Sequence, residues 1–306
     1  MTMFAPPPRI TAQIFATLPD ALRTGTPGSG WNALQPAGLA APSFLEGPSF
    51  DEDGTLWCVD VVNGRILTVN PQGEFEVRIE YDGWPNGLKI HKDGRIFVAD
   101  HKHGIMRFDR ERRSIEPILE RHGTERFKAV NDLFFAANGD LYFTDQGLTG
   151  LHDPTGRVFR LDAKGNLTCL LSNVPSPNGL VMDLDERALY LAVTRDNSIW
   201  RVPLGRDGLA TKVGRFIQMS GGVGPDGLAL AADGGLLVAH AGLGCVWSFS
   251  PAGEPLLRID SPAGKLTTNI AFGGKDNREL YITESSQAAI LKAHLACAGK
   301  AMYSSA

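Results

Sequence analysis

Six polar residues lead six similar segments of this 306-residue chain: Glu46, Asn86, Asn131, Asn178, Asp226 and Asn269. Subtracting their numbers gives spacings of 40, 45, 47, 48 and 43 residues. The set offers two carboxylates and several carboxamide carbonyls, with no cysteine nearby. Carboxylates gathered at one point repel, each losing on the order of 1 kcal/mol or more in a partly dry site. A bound divalent cation removes that repulsion. An oxygen-only donor set suits Ca²⁺ first, then Mg²⁺ or Mn²⁺; Zn²⁺ usually recruits His or Cys, although carboxylate sites do accept it.

Residues so far apart can meet only if the segments between them repeat a structural unit. An alternating apolar run follows each leading residue. Eight positions on comes a turn residue, in order Gly54, Gly94, Gly139, Glu186, Gly234 and Asn277. A second apolar run follows, such as LWCV or IFVA, and in most repeats a third and a short fourth. Four strands in about 40–50 residues is the period of a propeller blade. The expectation is an all-β chain: one six-bladed β-propeller domain spanning 1–306, with four-stranded antiparallel blades. The stretch ITAQIFATL (10–18) would supply the outer strand of the last blade and close the ring, covering two open edges. Residues 19–42 are rich in Gly and Pro and too long for an ordinary turn, so they form either a lid-like loop or a mobile surface segment.

In a blade the first strand lies nearest the axis, so the six leading residues converge at one mouth of the channel. The second strand runs back antiparallel and ends at the same mouth. Its end residues are Asp60, Asp100, Asp145, Val193, His240 and Glu284, which predicts a second polar ring around the first. Turn chemistry could account for any single Asn-Gly or Asp-Gly pair. It does not account for Glu46, nor for the fixed offset to the next turn. His240 is a structural hydrogen-bond donor or a proton carrier. Glu284 is a solvated edge residue or a direct participant. His101, Lys102 and His103 follow Asp100 in a loop that either faces the substrate or is simply solvated.

Composition narrows the partners. The net charge is −4 with no basic block, which argues against nucleic acid or an anionic membrane. The 35 Gly and 19 Pro fit a chain built of many turns. Cys58, Cys169, Cys245 and Cys297 lie far apart, as expected of buried thiols in a reducing compartment. Prolines occupy the N-terminal stretch where a secretory signal needs an apolar run, and no segment reaches transmembrane length. A cytoplasmic protein is expected, with the oligomeric state open.

Four motifs carry a resemblance: FLEGPSF with Glu46, AVNDLFF with Asn131, SPNGLVM with Asn178 and GPDGLAL with Asp226. Over residues 40–295 the chain resembles the senescence-marker protein/gluconolactonase family of regucalcin-like and drug-responsive lactonase-like proteins. The resemblance implies that Glu46, Asn131, Asn178 and Asp226 hold one catalytic divalent cation, with Ca²⁺ expected and Mg²⁺, Mn²⁺ or Zn²⁺ as alternatives. It implies hydrolysis of a small lactone or ester by metal-polarised attack of water. Asp226 is the first candidate for proton acceptor and Asp145 the second; direct attack by Asp226 is a further route. Substrate-facing candidates are Asn86, Lys128, His101, His103, His240 and Glu284. The chain departs from the sugar-lactonase pattern at Ala129, where an Arg is common, and at Val193, where an acid is common. Both changes bear on the substrate more than on the cation. Phosphotriesterase- or arylesterase-like hydrolysis and a non-enzymatic Ca²⁺- or ligand-binding propeller remain alternative readings. A strictosidine synthase-like reaction uses a Glu and no metal, so the ligand set counts against it.

Overall fold

The computed structural model describes residues 5–26, 28, 30–36 and 40–305. Inner strands such as Leu56–Asp60 are buried throughout, whereas outer strands such as Phe75–Glu80 are largely exposed or half-buried. That gradient runs from axis to rim in six sheets. The six first strands are Leu45–Phe50, Pro85–Ile90, Val130–Phe135, Pro177–Met182, Gly224–Leu230 and Thr267–Gly273. Each pairs antiparallel with the strand that follows it, and each sheet continues outward to four strands. All six turn residues anticipated eight positions after the leading residue have positive φ, including Glu186 at 54° and Asn277 at 55°. A left-handed residue at that corner sets the tight return of the first strand into the second.

The N-terminal stretch closes the ring in two pieces. Gln13–Thr17 pairs antiparallel with Ala289–His294 as the outer strand of the sixth blade, as the sequence suggested. Arg9–Thr11 instead lies parallel to Pro255–Asp260 and adds a fifth strand to the fifth blade. One segment thus straddles two blades and covers both rims.

The core lies between neighbouring blades rather than inside one. Leu180 and Leu191 of the fourth blade, for example, share a cluster with Tyr142 of the third and Val238 of the fifth. Hydroxyls stitch the inner strands together. Thr144 donates to the Asn178 carbonyl at 2.9 Å, Thr194 to the Pro225 carbonyl at 2.8 Å, and Ser285 to the Leu45 carbonyl at 2.6 Å.

Two local features aim the leading residues at the axis. Every first strand loses regular register with its partner at or beside that position, for instance between Glu46 and Ser49, between Pro225 and Leu228, and between Thr267 and Asn269. Such bulges twist a strand and re-aim its side chains. Close approach of the first strands is the second feature. A Cβ on Gly227 would stand 2.1 Å from Asn269 Oδ1, so the Gly of the Asp-Gly pair is a packing requirement inside a strand rather than a turn.

The C-terminal segment crosses the far end of the channel. Lys300 donates its backbone N–H to the Leu230 carbonyl at 2.8 Å, Tyr303 stacks on Phe135 with ring centroids 5.5 Å apart, and Ser304 donates to the Phe50 carbonyl at 3.2 Å. All four cysteines are free; Cys58 and Cys245 are buried, Cys169 and Cys297 half-buried. Among the described residues no helix is long and apolar enough to cross a membrane.

Candidate metal centre and its pocket

Glu46, Asn86, Asn131, Asn178 and Asp226 line one pocket of about 750 Å³ at the open mouth of the channel. Glu46 and Asn131 are buried, and Asp226 is half-buried. Asn269 stands behind Glu46: its Nδ2 donates to Glu46 Oε2 at 2.9 Å while its Oδ1 accepts from the Ile270 N–H at 2.8 Å. The Gly47 N–H reaches the same Glu46 oxygen at 3.0 Å. Glu46 is thereby held in one orientation.

The carboxamides are oriented in a similar way. Asn131 Nδ2 donates to Gln146 Oε1 at 3.1 Å, and Gln146 in turn donates to Ser176 Oγ at 2.9 Å. Asn178 Nδ2 donates to Thr194 Oγ1 at 3.2 Å. With its NH₂ committed to Gln146, the Asn131 amide oxygen is left for the centre, whereas the Asn178 amide also hydrogen-bonds Asp226. Among the described residues Asn131 Oδ1 is buried without a hydrogen-bond partner. A buried acceptor left unsatisfied calls for an explanation. A cation would supply one here, because it takes carbonyl and carboxylate oxygens together.

Electrostatics lead to the same reading. Burial pushes Glu46 up to about 7; the Asn269 amide opposes this and the nearby Asp132 charge adds to it. Asp226 is pushed well above its ordinary value by burial and then by the charges of Glu46 and Asp132. These carboxyls resist ionising together, and a divalent cation at the same point would reverse that. Among the described residues no three His, Cys, Asp and Glu side chains form a metal cluster by themselves. The donor set that fits is mixed, with Glu46 and Asp226 supplying charge and Asn131 and Asn178 supplying neutral oxygens.

The second ring does not do what its position in the sequence suggested. None of Asp60, Asp100, Asp145, His240 and Glu284 lines the pocket. Each turns away from the axis and secures the loop leading into the first strand of its own blade. Asp60 accepts from the Phe44 N–H at 3.0 Å, Asp100 from the Trp84 N–H at 3.0 Å, and Glu284 from the Leu266 N–H at 2.9 Å. Asp145 accepts from the N–H groups of Lys128 and Ala129 at 2.7 and 2.9 Å, and Arg157 pairs with its other oxygen at 2.6 Å. With both oxygens engaged and no exposure, Asp145 has no path to a reacting water. His240 is equally committed, since Trp247 donates to its Nδ1 at 3.3 Å and its Nε2 meets the Gly221 carbonyl at 3.0 Å. Burial holds the His240 pKa below its usual value. The physical reason is common to all five: a strand end beside a loop carries unpaired backbone groups, and a buried polar side chain there is used to satisfy them.

The remaining candidates divide. Lys128 and His101 line the pocket; His103 does not, its Nε2 lying 2.6 Å from the Asp82 carbonyl. The Lys128 ammonium bonds to Thr155 Oγ1. Within the 19–42 stretch, the short 3₁₀ turn Gly30–Leu34 places Trp31 and Leu34 on the pocket wall, and Gln35 and Pro36 follow. Residues 27, 29 and 37–39 of that stretch lie outside the described residues.

Several contributors were missed in the sequence. Gln146, Thr194, Arg195 and Thr268 all line the pocket. Asp132 is buried on the axis, where its carboxylate comes 3.4 Å from Asn269 Nδ2. One signal for Asp132 was legible: it replaces the Gly that follows the leading residue in blades one, two, four and five. Gln146 gave no such signal, because its role depends on the orientation of Asn131.

Residues 44–286 match the model of the SMP-30/gluconolactonase/LRE-like region. The chain is 32% identical to lactonase drp35 of Staphylococcus aureus (strain MRSA252) over 246 residues, 76% of this chain and 73% of that protein. It is also 32% identical over 271 residues to lactonase drp35 of Staphylococcus epidermidis (strain ATCC 12228 / FDA PCI 1200), covering 83% of this chain and 81% of the relative. Among solved structures, regucalcin from Agrobacterium tumefaciens superposes with a TM-score of 0.78 at 22% identity, covering 98% of both chains. A gluconolactonase from Xanthomonas campestris gives 0.73 at 23% identity, covering 95% of both. Those two likenesses show the fold.

Proposed function

The chain belongs to the SMP-30/gluconolactonase/LRE-like family, and from that premise we propose that it is a divalent-metal-dependent lactonase opening a small lactone by attack of water. The observation that carries the reading is the axial donor set, in which Asn131 Oδ1 is buried and unpaired beside two carboxyls that resist ionising together. Identity to proteins named lactonases over three quarters of the chain supports the reaction class. Glu46, Asn131, Asn178 and Asp226 would hold the cation, and Ca²⁺ fits their hard oxygen donors best.

When bound, the cation supplies Lewis-acid polarisation of the lactone carbonyl and stabilises the oxyanion that develops. Asp226 is the carboxylate placed to act, because it is half-buried, lines the pocket and keeps an open face. It takes the proton of the attacking water as the water oxygen bonds to the carbonyl carbon. Collapse breaks the acyl–oxygen bond of the ring, and the departing alkoxide takes the proton back. Asp145 is left out of this transfer because both its oxygens are engaged. Asn86, His101 and Lys128 contact the substrate from the wall, together with Arg195.

A lactone panel followed by a pH indicator, with and without EDTA and with Ca²⁺, Mn²⁺ or Zn²⁺ restored, tests the proposal. Metal-dependent opening of at least one lactone is expected. If no lactone opens faster than background under any metal, the hydrolase reading fails. Cation binding without turnover would then favour a non-catalytic Ca²⁺-binding propeller.

A further inference from the structure

Ser176 holds a backbone conformation that its place in the chain disfavours. Its φ is 66°, in the left-handed region. It also precedes Pro177, and a proline pushes the residue before it towards extended backbone. A Gly would take this φ without steric cost. With a Cβ the conformation stores strain, and strain of this kind persists only where the surroundings over-determine it, most often at functional sites. Ser176 is 3% exposed and lines the pocket, between the strands Leu167–Val174 and Pro177–Met182.

Every polar atom of Ser176 is engaged. Its hydroxyl accepts from Gln146 Nε2 at 2.9 Å. Its N–H donates to Thr149 Oγ1 at 3.0 Å, and Thr149 in turn donates to the Gln146 carbonyl at 2.6 Å. Its carbonyl accepts from the Thr194 N–H at 3.1 Å. Gln146 is thus gripped through both its side chain and its backbone. An amide has a donor end and an acceptor end, so fixing one end fixes the other. With Gln146 Nε2 committed to Ser176, Oε1 is the end presented to Asn131 Nδ2.

We infer that Ser176 is a positioning residue for the proposed metal centre: its hydroxyl, held in place by the left-handed backbone, sets the orientation of Gln146 and through it turns the Asn131 oxygen towards the axis. The inference rests on the metal reading of the pocket, but the orientation it describes exists without a cation.

Substitutions separate the hydroxyl from the strain. Ser176→Gly removes the hydroxyl and relieves the backbone. Ser176→Ala removes the hydroxyl and keeps the strain. Lys212→Gly is the control, relieving a φ of 47° at an exposed position away from the pocket. Ca²⁺ affinity by calorimetry and Tm are measured on each full chain. Both Ser176 variants should bind Ca²⁺ roughly 10-fold or more weakly. Ser176→Gly should nonetheless melt above Ser176→Ala and no more than about 3 °C below wild type. Lys212→Gly should leave the Kd unchanged. Because Ser176 acts through Gln146, adding Ser176→Gly to Gln146→Leu should weaken binding little further. An unchanged Kd in both Ser176 variants, affinity that simply follows Tm, or full additivity with Gln146→Leu would overturn the inference.

Crystal structures of the cation-free protein keep this claim separate from the metal reading. Gln146 should lie on Asn131 in wild type and turn away in Ser176→Gly. A Gln146–Asn131 bond retained in the variant would sink the inference whether or not wild type binds a cation. Loss of that bond, in a wild type that binds no cation, would remove the metal reading and leave the positioning of Asn131 by Ser176 standing.

Discussion

Gln146 Oε1 accepts from Asn131 Nδ2 at 3.1 Å, and that one bond decides which end of the Asn131 amide faces the axis. The oxygen left over is the buried, unpaired acceptor of the centre. Gln146→Leu keeps the bulk and removes the acceptor. Ca²⁺ affinity measured by calorimetry should fall roughly 10–100-fold, as for other residues that orient metal ligands. An unchanged Kd would show that Asn131 is oriented by something else.

Asp226→Asn preserves shape and removes both the proposed ligand charge and the proposed proton acceptor. The kcat for lactone opening should drop by roughly 10²–10⁴-fold. Glu46→Gln should instead act mainly through lost cation affinity, and excess Ca²⁺ should restore part of its activity. Full activity in Asp226→Asn would remove that residue from the mechanism.

Stability of the cation-free protein should fall as pH rises through the window set by Glu46. The Glu46 pKa moves from its ordinary 4.5 up to about 7 on folding. Between those values the folded chain binds more protons than the unfolded chain, so unfolding becomes easier with increasing pH. Asp226, also raised, acts in the same direction. Bound Ca²⁺ favours the ionised carboxylates and should reverse the slope. Thermal melts from pH 4.5 to pH 7.5, with EDTA and with Ca²⁺, read this directly; parallel curves would count against a cation at this centre.

Asp145→Asn separates a positioning carboxylate from a catalytic one. Asp145 is fully buried and paired with Arg157 at 2.6 Å. Breaking a buried ion pair costs about 3–5 kcal/mol, so a large fall in denaturant midpoint is expected. Activity per folded molecule and its pH profile should change little. Loss of kcat at unchanged stability would return Asp145 to the chemistry.

Gly227→Ala tests the axial packing without touching a ligand. The added methyl would meet Asn269 Oδ1 at 2.1 Å and displace the amide that holds Glu46. Overpacking of this kind costs about 1–3 kcal/mol, so a lower Tm and weaker Ca²⁺ binding are expected together. Gly214→Ala, where nothing lies within 4 Å, is the control and should change neither.

The sequence by itself determined the blades, their number and the convergence of the leading residues. Those features rest on local chemistry repeated at a fixed period, as the positive φ of all six turn residues confirms. It also determined that those leading residues are all carboxylates or carboxamides. It could not determine which polar residues face the pocket. Asp145, His240 and Glu284 end their strands near the expected mouth, yet their side chains turn to satisfy backbone groups of adjoining loops. Gln146, Trp31 and His101 gain their roles from partners 15 to 70 residues away. Hydrogen-bond direction and burial decide such roles, and both exist only once distant segments have packed against one another.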